Sequence, residues 1–474
     1  MKQRIDDAQA FPALTYAKRA LSASSLVILI GVVALSPLPY ASVELGWVAI
    51  WCAALAVCLL CVSLRGVERA HYLLLIPPLS LAALFTVVIT WQVFPGPPAL
   101  AHPIWEKAAK LLPSQVTPFV SIAPDRSWRA LGGPLTVLLA FLCAFLVSVK
   151  RERAAILLKS TAAVGLIYAM YALIVFLNSH TEIVWSDQAQ SFAALSGPFI
   201  NRNHAATYFG TCALLWFALA LAELERPLTS IGVLDAIRAV LEESPWRFVA
   251  FAGAFFTCIT ATFLTQSRAG IVLTLAVLVL YLGIFAFRFF SSHPKSIIAG
   301  AVIVLALALF VEFWGGAVAY RMGMLGLKDL GRWETFTSTV KIIQEYPVLG
   351  TGHGTFEAAF PPYRGDHLTT MLVWDHAHNT LLEITSELGI IVAAATFIVT
   401  LFLGWMLLRG ALQRRRDSAI PLAALAVVLL AVTHSSVDFS LQIPAYAITC
   451  AVIVGCGLAQ SLRSRVDRND TGRR

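Results

Sequence analysis

The sequence predicts an all-α polytopic membrane protein of about twelve transmembrane helices, with both termini in the cytoplasm and one large loop containing short helices on the outer face. The chain of 474 residues is 58% hydrophobic and only 13% charged, with a mean hydropathy of +0.76. Soluble domains carry about 25% charged residues. Apolar stretches of about 20 residues, the length that spans a bilayer, recur along the whole chain. The third observation is that positive charges cluster between these stretches, as orientation signals do.

Twelve stretches are predicted to span the membrane. The run 248–287 is almost unbroken and would be about 60 Å long as one helix, about twice the hydrocarbon core. It must therefore turn at its polar segment, 265–270. The predicted spans lie near 22–39, 44–64, 72–94, 130–148, 155–178, 205–223, 248–266, 269–287, 296–318, 388–408, 419–436 and 443–461.

The even number of spans puts both termini on one side, and the positive charges identify that side as the cytoplasm. Most Lys and Arg residues fall in segments that are then internal, for example around Arg151, Arg288 and Arg414. The chain is treated as one transmembrane domain, 1–474, within which 319–387 is the large outer loop. The net charge of +8 does not indicate a nucleic-acid partner, because the basic residues are not gathered on one soluble face.

The outer loop 319–387 contains basic residues that oppose the inside bias. Such residues suggest an anionic ligand on the outer face, although a solvated loop with ordinary charges would look the same. The basic residues in question are Arg321, Lys328, Arg332, Lys341 and Arg364.

The end of this loop carries two histidines, His376 and His378, just before a predicted helix. An imidazole can take a proton from a hydroxyl at neutral pH, and Asp375 or Glu383 could hold its tautomer. Two other interpretations stay open. Asp375 could simply cap the helix, or the His-x-His pair could bind a metal, although no Cys or third His stands at a usual spacing.

Two further polar groups lie where the chain enters the membrane. Arg268 interrupts the run 248–287, and an arginine there suits phosphate oxygens, although snorkelling to headgroups would also explain it. Arg202, Asn203 and His204 stand at the outer start of the sixth span, where interfacial anchoring is the alternative explanation.

The middle of the outer loop predicts an amphipathic helix over about 332–345, with Trp333 and Phe336 on its apolar face, which could lie along the membrane surface. Pro347 and Gly350 would end it. The Gly-x-Gly-x-Gly run at 350–354 is similar to a phosphate-binding loop but follows no strand, so a plain glycine turn is the preferred interpretation.

Taken in order, these segments resemble the O-antigen ligase and polymerase family of bacterial GT-C-type membrane glycosyltransferases. The resemblance covers roughly 197–410. Its motifs are Arg332-Trp333, Pro347-Val348-Leu349-Gly350-Thr351-Gly352, His376-Ala377-His378-Asn379 and Glu387-Leu388-Gly389.

The resemblance implies a metal-independent, inverting transfer on the periplasmic face of the inner membrane, with no cofactor. The donor would be an undecaprenyl-diphosphate-linked glycan, and the acceptor lipid A–core or a growing polysaccharide. His378 would be the base, while Arg268 and Arg332 would hold the diphosphate. Supporting roles would fall to Arg202, Asn203, His204, His376, Asn379 and Glu383. A repeat-unit polymerase shares this chemistry, whereas a transporter would require charges or Gly/Pro breaks near mid-span in paired halves.

Overall fold

The computed structural model describes residues 21, 23–63, 69–178, 194–228, 233–290, 330–366, 368, 373–414 and 418–462. Within these residues the chain forms helices and turns and no β-strand. In chain order the helices are α1 (Ala23–Leu35), α2 (Leu45–Ser63), α3 (Arg69–Val93), α4 (Ile104–Leu111), α5 (Pro124–Ala130), α6 (Gly132–Val147), α7 (Arg151–Leu177), α8 (Arg202–Leu228), α9 (Val233–Glu243), α10 (Pro245–Leu264), α11 (Arg268–Phe290), α12 (Leu330–Glu345), α13 (Phe356–Ala359), α14 (Thr380–Leu388), α15 (Ile390–Gln413), α16 (Ala419–His434) and α17 (Pro444–Ala459).

Eight helical stretches in the described part are long and apolar enough to cross a membrane, and α1, α16 and α17 are shorter apolar helices. Every predicted span that falls in the described residues coincides with one of them to within about five residues. The predicted span 296–318 lies outside the described residues. The all-helical membrane fold is therefore confirmed, while the total of twelve spans and the orientation of the termini stay predictions.

The predicted turn within 248–287 is confirmed. Helix α10 ends at Leu264 and α11 begins at Arg268. Between them Gln266 has a φ of 54°, a left-handed conformation that cannot continue a right-handed helix. The turn therefore places Arg268 in the first turn of α11, at the end of the bundle rather than in mid-span.

Helices α8, α16 and α17 form the centre of the bundle. In the most apolar part of α8, 89% of the residues are buried inside the protein, against 28% for α15. Helix α8 packs against α7, α10, α11 and α16. Small residues allow close contacts between other helices of this centre and their neighbours: a Cβ on Gly455 of α17 would lie 2.5 Å from the carbonyl oxygen of Phe141 on α6. The polar start of α8 thus belongs to the most enclosed of the eight spanning stretches in the described residues.

The two ends of the bundle differ in what they hold. One end, here called the loop end, brings together the start of α8, the α10–α11 turn, helices α12–α14 and the α16–α17 turn. At the opposite end the guanidinium of Arg288 donates to the carbonyl oxygens of Ala411 and Arg414 and lies 3.8 Å from Glu225. These contacts satisfy carbonyl oxygens at the C-terminus of α15. The charged residues at this end therefore have a structural role.

The predicted amphipathic helix is confirmed as α12, which ends two residues before Pro347. The buried side of this helix is largely polar. Thr335 and Thr339 are fully buried against the protein, whereas Trp333 is 68% exposed and Val340 39%. The buried hydroxyls donate to carbonyls four residues earlier in the helix. The exposed side also carries polar residues such as Lys341, so it is mixed in character, and the predicted membrane-surface position stays a prediction.

The close approach of α8 and α11 gives a test of this packing. A Cβ on Gly270 would lie 2.4 Å from the Ala206 Cβ, while nothing lies within 4 Å of one on Gly283 of the same helix. Gly270→Ala is expected to lower stability by about 1–3 kcal/mol through overpacking, and Gly283→Ala to leave it unchanged or slightly raised. Thermal unfolding of the two purified variants in detergent would measure this. Equal melting temperatures would contradict the α8–α11 packing.

Candidate active site at the loop end

A buried carboxylate lies at the centre of the loop end. Asp438 stands in the turn between α16 and α17 and is fully buried. Its Oδ2 accepts hydrogen bonds from Asn203 Nδ2 at 2.7 Å and from Arg332 Nη2 at 2.9 Å. Its Oδ1 accepts from the Phe439 amide at 2.8 Å and lies 3.3 Å from His204 Nε2. One side chain thus connects the start of α8, the start of α12 and the α16–α17 turn.

The surroundings of Asp438 keep it ionised. Burial alone would raise its pKa, because a carboxylate loses hydration in a low dielectric. The adjacent His204 imidazole and the positive charge of Arg332 outweigh burial and hold the pKa of Asp438 well below its usual range. The site therefore contains a permanent negative charge that fixes a cation beside it.

Arg332 is the cation on Asp438. Besides the ion pair, its Nη1 donates to the Val437 carbonyl oxygen at 2.7 Å. The guanidinium is held along one edge in the two-toothed manner that suits its planar fork. Its side chain remains 23% exposed, so the charge lies at the surface of the bundle end and not in its interior.

Arg268 directly follows a residue of the same hydrogen-bond network, Ser267. Ser267 Oγ donates to Asn203 Oδ1 at 2.8 Å, and Asn203 in turn donates to Asp438. Ser267 also accepts from the Gly270 amide and so satisfies one of the first amides of α11. The first residue of α11, half-buried Arg268, is therefore one residue away from the chain of contacts that ends at Arg332.

His378 adopts a backbone conformation that is unusual for its residue type. Its φ is 52°, in the left-handed region that costs a non-glycine residue about 1 kcal/mol or more. The imidazole packs edge-on against Phe439, with ring centres 5.0 Å apart, and against Trp374 at 6.2 Å. The start of α14 thus directs His378 toward the same turn that holds Asp438.

The electrostatic surroundings of His378 favour its neutral form. Burial lowers its pKa below the ordinary value. Asp438 opposes this effect, while the positive charges of Arg332 and His376 add to it. A neutral imidazole at physiological pH is the form that can accept a proton.

Glu383 contacts His376 and not His378. Its Oε1 lies 2.8 Å from His376 Nδ1, and its Oε2 accepts from the Ala377 amide at 2.7 Å. In the part of the chain that the structure describes, His378 Nδ1 has no hydrogen-bond partner. The predicted contact between a carboxylate and an imidazole of this segment therefore exists, but it joins Glu383 to His376 and not to His378.

The helix that follows is capped by Asn379. The Asn379 side chain accepts from the Leu382 amide at 3.0 Å, and α14 begins at Thr380. The expected cap, Asp375, lies too far before the helix to do this. Asn379 Nδ2 also donates to the Ser436 carbonyl oxygen at 2.9 Å, so the cap ties α14 to the α16–α17 turn.

The glycine run at 350–354 surrounds a carboxylate of the protein itself. The amides of Gly354 and Phe356 each donate to Glu387 at 2.9 Å, and His353 Nδ1 lies 3.2 Å from it. The Gly352 amide donates to the Glu387 carbonyl oxygen. A row of backbone amides suits an anion, and here Glu387 is that anion. The run is a structural turn and not an open phosphate loop.

Close backbone approach explains the glycines of this turn. Gly350 and Gly389 have φ values of 64° and 84°. A Cβ on Gly350 would lie 2.2 Å from the Glu387 carbonyl carbon, and one on Gly389 would lie 1.9 Å from the Val348 carbonyl oxygen. The backbone of the glycine run therefore packs against the backbone of the Glu387-Leu388-Gly389 motif. The Gln92 amide on α3 joins them, because it donates to the carbonyl oxygens of both Leu349 and Glu387.

The structure brings all the sequence-predicted polar segments to one end of the bundle. The segments are those of Arg202–His204, Arg268, Arg332 and His376–Glu383. Sequence reasoning missed Asp438 and Phe439. A usable signal existed, because Asp438 is the only acidic residue in 418–462, and an ionisable residue between two apolar spans is a functional candidate.

In the described residues no group of three or more His, Cys, Asp or Glu side chains is placed to hold a metal ion.

The Glu387 contacts predict a specific weakness. Glu387→Ala would leave buried amides without an acceptor, at a cost of about 1–3 kcal/mol, and should open the 350–356 turn. Glu357→Ala is the matched control, because its ion pair with Arg126 is about half exposed and should contribute less than about 1 kcal/mol. Hydrogen exchange of the Gly354 and Phe356 amides would measure the effect. Unchanged protection in Glu387→Ala would contradict this account of the turn.

Comparison with known protein families gives one match. Residues 253–397 match the family model described as O-Antigen ligase. A search of curated proteins found no match. The matched segment runs from α10 into α15 and contains Arg268, Arg332, His376, His378 and Glu383.

The match does not include the start of α8 or the α16–α17 turn, which supply Asn203, His204 and Asp438. These residues join the matched segment through the hydrogen bonds described above. The match confirms the resemblance drawn from the sequence motifs: residues 253–397 of this multi-helix membrane protein are similar to the O-antigen ligase family.

Proposed function

We propose that the protein is an inner-membrane glycosyltransferase of the O-antigen ligase type. It would transfer a glycan from an undecaprenyl-diphosphate carrier to an acceptor sugar on the periplasmic face, without a metal ion and with inversion at the anomeric carbon. The observation that carries this proposal is the meeting of His378 with Arg332 around Asp438, next to Arg268. A base and diphosphate-binding cations at one bundle end are the groups that such a transfer needs.

His378 is the proposed base. Its lowered pKa keeps the imidazole neutral at periplasmic pH, so that it can take the proton of the acceptor hydroxyl as the new glycosidic bond forms. Its pairing with rings on Phe439 and Trp374 restricts the imidazole orientation. A fixed orientation matters because small misplacements of a reacting group are costly in rate.

Arg268 and Arg332 are the proposed partners of the leaving diphosphate. Charge develops on the diphosphate as the sugar leaves, and fixed cations stabilise that charge without reorganisation. Asp438 holds Arg332 in place, and the N-terminal end of α11 adds a favourable dipole beside Arg268. Both arginines are at a bundle end, the level at which lipid headgroups lie.

The ligase assignment is preferred to the polymerase because the matching family model is described as a ligase. Both reactions use the same donor and differ in the acceptor, which is lipid A–core for a ligase and a growing polysaccharide for a polymerase. The proposed partners are thus a lipid-linked glycan, one of these acceptors and the bilayer itself.

Substitution of the proposed machinery should abolish transfer without affecting membrane insertion. His378→Ala and Arg268→Ala are each expected to lower the transfer rate by at least about 10²-fold, since each removes a proton acceptor or a charge-stabilising group. Rates would be measured in membranes with a lipid-linked donor from a ligation-blocked strain, with and without EDTA.

The matched control for these variants is Arg409→Ala. Arg409 is an exposed arginine on α15 that bonds only locally, to Gln413, and its loss should leave transfer unchanged. Full activity of His378→Ala or Arg268→Ala would refute the mechanism, and loss of transfer in EDTA would refute its metal independence.

Deletion of the gene should distinguish the two acceptors. The surface polysaccharide of the deletion strain, separated on a gel, should show long chains that remain on the lipid carrier and are missing from lipid A–core. Single repeat units would instead identify a polymerase. Unchanged lipopolysaccharide, capsule and exopolysaccharide would contradict both.

A further inference from the structure

Glu383 binds the two residues that precede His378. Glu383 is only 5% exposed. One of its carboxylate oxygens lies 2.8 Å from His376 Nδ1, and the other accepts a hydrogen bond from the Ala377 amide at 2.7 Å. Both bonds are charge-assisted, the strong class of hydrogen bond. The carboxylate comes from the first turn of α14, so it closes a tight loop directly beneath His378.

The residues that follow His378 are held from the other side. Asn379 Nδ2 donates to the Ser436 carbonyl oxygen, and the Thr380 amide donates to the Ser435 carbonyl oxygen, both at 2.9 Å. The chain is therefore fixed on both sides of His378. Glu383 holds the two residues before it, and the α16–α17 turn holds the two residues after it. Between them His378 keeps its left-handed φ of 52°, a conformation that persists only when the surroundings enforce it.

We infer that Glu383 is the positioning residue of His378, acting through the Ala377 backbone and the His376 imidazole and not by contact with His378. This inference rests on the proposed role of His378 as the base. It replaces the expected carboxylate–imidazole contact with a clamp on the neighbouring backbone. It also gives a role to His376, the first imidazole of the His-x-His motif and the one that bears a charge.

The charge of His376 follows from the same contact. Burial alone would lower its pKa, but Glu383 outweighs burial and, with smaller contributions from Asp375 and Glu387, raises the pKa of His376 to about 9. His376 is thus protonated at neutral pH. Its ring stacks on Phe439 at 4.1 Å, the ring that His378 also contacts.

The cation on His376 helps to keep His378 neutral. The charged groups that act on His378 are Asp438 from the α16–α17 turn, Arg332 from α12, and His376 and Asp375 from its own segment. Removal of the His376 charge takes away one cation that disfavours protonation of His378. The pKa of His378 then rises, and because transfer needs the neutral imidazole, activity is lost at a higher pH as the solution is acidified.

Three variants separate the clamp from the charge. Glu383→Ala removes both. Glu383→Gln retains an acceptor for the Ala377 amide but loses the charge that protonates His376, and His376→Gln loses the cation alone. Thr385→Ala on the same helix is the control, because its hydroxyl bonds only to the Leu381 carbonyl oxygen. For each, the transfer rate would be measured against pH and against donor concentration in membranes of equal protein content.

Glu383→Ala should lower kcat at alkaline pH by about 30- to 100-fold, the cost of a misplaced base, with the donor KM within about twofold of the native value. Glu383→Gln and His376→Gln should keep kcat at alkaline pH within about threefold and move the acid limb of the pH profile up by about half a unit to one unit. Thr385→Ala should change neither. A merely structural role would not move the pH profile of the folded Gln variants.

Native kcat in Glu383→Ala would overturn the clamp, and an unmoved acid limb in both Gln variants would overturn the electrostatic role. If Glu383→Ala fails to insert, the two Gln variants still decide whether Glu383 acts on His378 through the His376 imidazole. His378→Ala, run in parallel, separates this inference from the proposed function. If His378→Ala is active, His378 is not the base and the proposed function is refuted. If His378→Ala is inactive and the Glu383 variants are unaffected, only the positioning role is overturned.

Discussion

The loop end depends on one interaction, the burial of the Asp438 carboxylate among Asn203, His204 and Arg332. An ionised group without partners at this depth would cost several kcal/mol, so the partners and the carboxylate require one another. Because the partners come from α8 and α12 and the carboxylate from the α16–α17 turn, satisfying this one charge brings three distant parts of the chain into register. The position of Arg332 is a consequence of that requirement.

The helices were predictable from the sequence because the bilayer constrains them so strongly. An apolar run of limited length must span, and an apolar run twice that length must turn, which located the turn before Arg268 correctly. The burial of hydroxyl side chains on α12 was not predictable, since the sequence shows which residues share a face but not what covers that face. The buried threonines 335 and 339 would have been assigned to the solvent side by composition alone.

The residue types of the site were predictable, but their pairing was not. The sequence placed His376, His378 and Glu383 within eight residues, and several pairings of imidazole and carboxylate satisfy such spacing. Only the left-handed turn at His378 decides that Glu383 meets His376. Likewise, the glycine run was a weak phosphate-loop match because nothing in the sequence reveals that Glu387, more than thirty residues later, fills it. Asp438 was missed because it lies far along the chain from the motifs that it joins.

Helix α12 makes the loop that contains it a poor candidate for study in isolation. Its outward face presents Trp333 and Val340, and its inward face is completed by contacts with the α16–α17 turn, which belongs to the membrane bundle. A soluble fragment covering 330–388 would expose the first face to water and leave Arg332 without its carboxylate. The loop is better regarded as the lid of the bundle, continuous with its core, and ligand binding to it should be sought in the full-length protein embedded in lipid or detergent.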